Sequence, residues 1–144
     1  MTSLMLAVVK RDVDILNMLI SLGANVNEKQ HEKSGDSALI LAARKGDIAI
    51  VEKLLDMGAE FNDQNTLGRT ALMTAVEHNN TVIAESLINR GAKVNEKDSN
   101  GRTALMSAVY IHDTDMCEML IGYRANVNDM DNDGITPLLH ALKA

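Results

Sequence analysis

The sequence predicts an all-α solenoid, a stack of short helix pairs built on one repeated unit of 33 residues. Three observations predict it. A five-residue marker recurs at that step as Gly35-Asp36-Ser37-Ala38-Leu39, Gly68-Arg69-Thr70-Ala71-Leu72, Gly101-Arg102-Thr103-Ala104-Leu105 and Gly134-Ile135-Thr136-Pro137-Leu138. A second marker keeps the same register as Gly58-Ala59, Gly91-Ala92 and Arg124-Ala125. Between the markers, apolar residues fall at helical spacing and not in the alternation of a strand. An earlier copy, Thr2-Ser3-Leu4 with Gly23-Ala24, lies 35 residues ahead of its successor, two extra residues near Gln30-His31 making the difference. Fixed periods of this size mark repeat architectures. The chain therefore reads as one domain over residues 1–144, with units at about 1–31, 32–64, 65–97 and 98–130 and a partial fifth at 131–144.

Each unit decodes into the same parts. A hydroxyl residue opens the first helix every time, at Thr2, Ser37, Thr70, Thr103 and Thr136. Such a side chain accepts from an otherwise unpaired N–H of the first turn. Leu39, Ala42, Ala43 and Leu72, Ala75, Val76 then form one apolar helix face. A polar break follows at Lys45-Gly46-Asp47, His78-Asn79-Asn80 and His112-Asp113. The second helix carries apolar pairs four apart: Ile50, Val51, Leu54, Leu55; Ile83, Ala84, Leu87, Ile88; Met116, Cys117, Leu120, Ile121. Gly23, Gly58 and Gly91 sit where a helix ends in the left-handed conformation. Val26-Asn27, Phe61-Asn62, Val94-Asn95 and Val127-Asn128 lead into turns such as Asp98-Ser99-Asn100-Gly101 and Asp131-Asn132-Asp133-Gly134. One such unit buries too little to stand alone, so neighbours must stack.

Composition bounds the function classes. Apolar residues make up 46%, enough for a core, and with no Trp, one Phe and two Tyr that core is aliphatic. A net charge of −6 argues against a protein that coats nucleic acid. The single cysteine, Cys117, excludes an intramolecular disulfide framework and a cysteine-based zinc cluster, and suits a reducing compartment. The apolar run Leu4 to Val9 is too short to span a membrane and lacks the flanks of a signal peptide. An intracellular, cytoplasmic location is expected.

These residues resemble the ankyrin-repeat family: Gly-x-Thr-Pro-Leu, two helices and Gly-Ala-x-Val-Asn at a 33-residue step, over essentially the whole chain. The resemblance implies a protein-interaction scaffold without catalysis or cofactor, whose partner lies on the concave face formed by the turn tips and first helices. Three departures stand out. The family's Pro survives only at Pro137, with Ser3, Ala38, Ala71 and Ala104 elsewhere. Its His is replaced by Met5, Ile40, Met73, Met106 and Leu139, which removes the implied Thr–His contact and predicts modest stability. Arg124 stands where the helix-ending glycine belongs, so that either the backbone there is strained or the helix ends early at Gly122.

No group of residues forms a triad, dyad or metal-site pattern, and no enzyme is expected. Asp129, Asp131 and Asp133 before Gly134 copy the opening of a calcium loop, but His140 stands where its closing Glu belongs, and the stretch reads as a solvated turn. His31, His78, His112 and His140 show no zinc-helix spacing. Cys117 reads as a buried, inert thiol. Met5, Met73 and Met106 read as packing residues, and Asn79-Asn80-Thr81 as a coincidental glycosylation sequon.

Mapped through the resemblance, the concave face gathers Lys10, Lys33, Arg44, Lys45, Arg69, Arg90, Arg102 and Lys143 against Asp36, Glu77 and Asp133. His78, Tyr110, Ile111 and Tyr123 fall on the same face, and both tyrosines of the chain lie in its fourth unit, where aromatic anchors suit a binding hot spot. The expected partner-binding residues are Arg44, Lys45, Arg69, His78, Arg90, Arg102, Tyr110, Ile111 and Tyr123, and the expected partner is a protein with an acidic segment. Two other readings stand beside this: a recognition domain of a larger enzyme or effector, and a binder of a polyanionic ligand. The apolar ends, Leu4 to Val9 and Leu138 to Leu142, admit a fragment of a longer array, fraying ends or end-to-end self-association.

Overall fold

The computed structural model describes residues 1–30 and 34–143, the side chain of Lys143 excepted. Among the described residues, nine α-helices follow one another without a sheet: α1 Ser3–Lys10, α2 Val13–Ser21, α3 Ala38–Lys45, α4 Ile48–Asp56, α5 Ala71–Glu77, α6 Thr81–Asn89, α7 Ala104–Tyr110, α8 Thr114–Gly122 and α9 Pro137–Lys143. The odd-numbered helices open the units, and all five hydroxyl residues cap as expected. Thr2, Ser37, Thr70, Thr103 and Thr136 accept from the N–H of Met5, Ile40, Met73, Met106 and Leu139.

The break between the paired helices has a structure of its own. Arg11, Gly46, Asn79 and His112 occupy the left-handed region at φ 57°, 69°, 55° and 58°, turning the chain back on itself. Asp12, Asp47 and Asp113 then cap the second helices, accepting from Ile15, Ile50 and Met116. Asn80 caps nothing with its side chain; it reaches back a unit and donates to the Ala43 carbonyl at 2.9 Å.

Burial follows the predicted stripes. Leu39, Leu72 and Leu105 of the first helices and Leu54, Leu87 and Leu120 of the second all lie in the core, with Met5, Met73 and Met106 beside them. Successive first helices pack closely, α1 on α3, α3 on α5, α5 on α7 and α7 on α9, whereas the second helices meet sparsely, and even α4 on α6, the fullest of these contacts, is slighter than any between first helices. The row of first helices is therefore the tight inner row, and the stack curves towards it.

Two ladders of hydrogen bonds tie unit to unit. Asn27, Asn62 and Asn95 each accept from a backbone N–H of the next unit, that of Glu60, Lys93 and Asn126. The turns stack as well: Ser99 donates to the Leu67 carbonyl, and Asn132 to that of Asn100. This stacking explains the glycine of the first marker. At Gly101 (φ 75°) a Cβ would sit 2.8 Å from the backbone nitrogen of Asn132.

Candidate functional site

A cleft of about 260 Å³ opens on the inner face between α5, α7 and α9. Met106 and Ser107 of α7 line it, Arg69 and Glu77 form one wall, His140 the other, and Arg102, Tyr110 and Ile111 complete the lining. Its parts come from one register. In two units the residue after the marker glycine and the residue eight positions on, at the end of the first helix, meet on the inner face. In the second unit these are Asp36 and Arg44, paired at 2.7 Å, and in the third Arg69 and Glu77, paired at 3.0 Å with the signs exchanged.

The electrostatics differ from pair to pair. Asp36 is 1% exposed and also accepts from the amide of Asn65 at 2.8 Å. Burial opposes its ionisation, but hydrogen bonds from Arg44, Asn65 and Ser34 outweigh burial and hold its carboxyl below the ordinary value. At Glu77 burial prevails over the attraction of Arg69 and raises the carboxyl. On the opposite wall His140 Nε2 lies 2.9 Å from Asp131 Oδ2. Asp131 Oδ1 accepts from the N–H of Ile135 and of Asp133, and these bonds, the one from Ile135 first, lower its carboxyl against the cost of burial, with help from His140. Asp131 is thus committed to shaping its turn.

Four of the nine expected site residues meet in the cleft: Arg69, Arg102, Tyr110 and Ile111. Arg44 and Lys45 lie further along the inner row on α3, Arg44 held by Asp36 and Lys45 exposed. His78, exposed just past α5, has its Nδ1 2.9 Å from the Thr74 carbonyl. Arg90 and Tyr123 are placed elsewhere. Both follow second helices, so they belong to the outer row. Arg90 pairs with Glu52 at 2.6 Å and Asp56 at 2.9 Å on α4, and the Tyr123 hydroxyl donates to Asn89 of α6.

The inner face is consequently less basic than the sequence suggested. Arg90 leaves it, and Arg44 and Arg69 are matched by carboxylates. Lys33 and the side chain of Lys143 lie outside the described residues, as does His31. Lys10, Lys45 and Arg102 are exposed without an ion pair among the described residues. The cleft residues that the sequence did not single out for binding are Met106, Ser107, Glu77 and His140. One signal for Glu77 was available, since it stands one unit after Arg44 with the opposite charge.

Elsewhere, Cys117 is half-buried on α8, and burial, aided by Asp113, pushes its thiol up. No group of His, Cys, Asp and Glu among the described residues is arranged to hold a metal ion, and no helix there is long and apolar enough to cross a membrane.

Comparison with known proteins agrees with this architecture. The family profile described as ankyrin repeats (3 copies) matches residues 4–98 and again 83–144. No curated protein matches the chain. With the repeat step, the capped helix pairs and the profile in agreement from residue 4 to residue 144, the chain belongs to the ankyrin-repeat family, whose repeats generally serve as non-catalytic protein–protein interaction modules.

Proposed function

We propose that this module holds a protein partner on its inner face, with the cleft between α5, α7 and α9 as the anchor point. One observation carries the reading. Tyr110, one of two tyrosines in the chain, stands 68% exposed at the cleft beside Ile111, Arg102 and the buried Met106. A rigid aromatic next to an apolar floor and a guanidinium is the composition of an interface hot spot. The pairing of Arg44, Arg69 and Arg90 favours a protein over a polyanionic ligand, because few cations remain to collect phosphates. The lone Cys117 suits a reducing cytoplasm, the compartment we assign to it.

The test is affinity capture from native lysate with three baits: the unaltered chain, Tyr110→Ala and Val82→Ala. Val82 is 67% exposed on the outer helix α6 and serves as the matched control. Partners kept by Val82→Ala and lost by Tyr110→Ala support the cleft. Partners indifferent to Tyr110 place binding elsewhere.

A second reading, self-association, has its own observation. Leu138 and Leu142 of α9 are 69% and 76% exposed, although the equivalent Leu72 and Val76 of α5 are buried. A second copy covering α9 would bury them. Light scattering should then show mass rising with concentration, and Leu138→Glu combined with Leu142→Glu should hold the chain monomeric. A concentration-independent monomer ends this reading.

A further inference from the structure

The register pair described above changes character in the fourth unit. Asp36 faces Arg44, then Arg69 faces Glu77, and one unit on the two positions hold Arg102 and Tyr110. The acid has gone, and Arg102 stands exposed with no carboxylate partner among the described residues. The break in the ladder falls at the cleft itself. Tyr110 replaces the missing acid with a ring and leaves an apolar surface continuous with Ile111 and Met106.

We infer that the partner supplies the missing carboxylate: the segment entering the cleft carries one Asp or Glu that pairs with Arg102, next to an aromatic or branched apolar side chain that packs on Tyr110, Ile111 and Met106. This rests on the cleft being the binding site. The neighbouring charges limit the partner to a single acid. The Arg69 guanidinium is already matched by Glu77 at 3.0 Å. Asp98 Oδ1 accepts from the backbone N–H groups of Asn100 and Arg102, so the acid nearest to Arg102 in sequence is bound to its own turn. His140 Nε2 lies 2.9 Å from Asp131 Oδ2, so that ring nitrogen is already engaged. A longer acidic run would meet Glu77 and Asp98 as like charges, whereas one carboxylate completes a pattern that the two preceding units complete internally.

Short random peptides displayed on phage and selected against the immobilised chain test both levels. The selected peptides are resynthesised with their acid or with its amide, and fluorescence anisotropy follows their binding to the chain and to Arg102→Gln and Tyr110→Ala. Both residues are exposed, and circular dichroism checks that the variants fold. The expected peptides carry one acid beside an aromatic or branched residue. The acid-to-amide change costs about tenfold in affinity, as befits a charge-assisted hydrogen bond. Arg102→Gln costs the acid peptide the same factor and leaves the amide peptide almost unchanged, which is the signature of direct coupling. Peptides that need Tyr110 but bind equally as acid or amide, or that carry Lys or Arg instead, overturn the carboxylate inference and leave the cleft in place. Peptides indifferent to Tyr110 overturn the cleft itself.

Discussion

Arg124 offers the sharpest test of how the backbone is paid for in this chain. Helix α8 ends at Gly122, in the same register as α4 at Asp56 and α6 at Asn89, so the helix does not stop early. Arg124 consequently takes the left-handed conformation at φ 66°, where Gly58 and Gly91 stand at 84° and 106°. Holding an L-residue there costs roughly 1–2 kcal/mol. Replacing it with glycine loosens the unfolded chain, which returns about 0.4–1 kcal/mol. The side chain of Arg124 is exposed and makes no hydrogen bond or ion pair among the described residues, while its carbonyl, which accepts from Asn95 at 3.1 Å, survives the change. Arg124→Gly is therefore expected to stabilise the fold by about 0.5–1 kcal/mol, or a rise of about 1–4 °C in Tm. Gly58→Ala is the mirror experiment: its Cβ would meet nothing within 4 Å, so conformation alone acts and Tm should fall by a similar amount. Thermal unfolding followed by helical circular dichroism measures both. An unchanged or lowered Tm for Arg124→Gly, while Gly58→Ala lowers it, would refute the strain at Arg124.

Three further outcomes are expected. Asp36→Ala should destabilise by about 2 kcal/mol, less than the ~3–5 of a fully buried pair because Arg44 reaches solvent; urea unfolding reads it. Asp36 and Asp131 have lowered carboxyls, so folded chains hold fewer protons than unfolded ones between the lowered and ordinary values, and their stabilisation is full at neutral pH and lost as pH falls through that window. Glu77, raised, acts with the opposite sign. Urea midpoints from neutral to acidic pH should fall, and Asp36→Asn should flatten the fall. Asp113→Ala removes the cap on Met116 and should cost about 1 kcal/mol, measured in the same assay.

The inner helices were legible because their signals are local. A hydroxyl before an apolar stripe caps a helix wherever that helix packs, and all five caps form. The caps of the second helices were equally local, an Asp before each apolar run at Asp12, Asp47 and Asp113, and could have been read from the polar breaks. The asparagine ladder had a periodic signal, Asn27, Asn62 and Asn95, but its partners lie in the next unit, and spacing does not reveal which carbonyl or N–H a side chain will meet. The placement of Arg90 and Tyr123 failed for a related reason. Both follow a second helix, and counting from the turn tips assigned them to the inner face, whereas Glu52, Asp56 and Asn89 hold them on the outer row.

By itself the sequence determined the repeat, its helix pairs, their aliphatic core and the left-handed glycine ends, since each follows from spacing and from the conformational preferences of single residues. Only the tertiary structure decided which charges are satisfied. Asp36 and Arg44, like Arg69 and Glu77, are eight residues apart, further than neighbours on one helix face, and they meet because a long arginine side chain spans the distance between the turn that opens the unit and the far end of its first helix. Stacking then sets the fourth unit, with Arg102 and Tyr110 in those positions, between the Arg69–Glu77 pair and His140. Net charge is a sum over residues, but a binding surface is what remains after neighbours in space have paired.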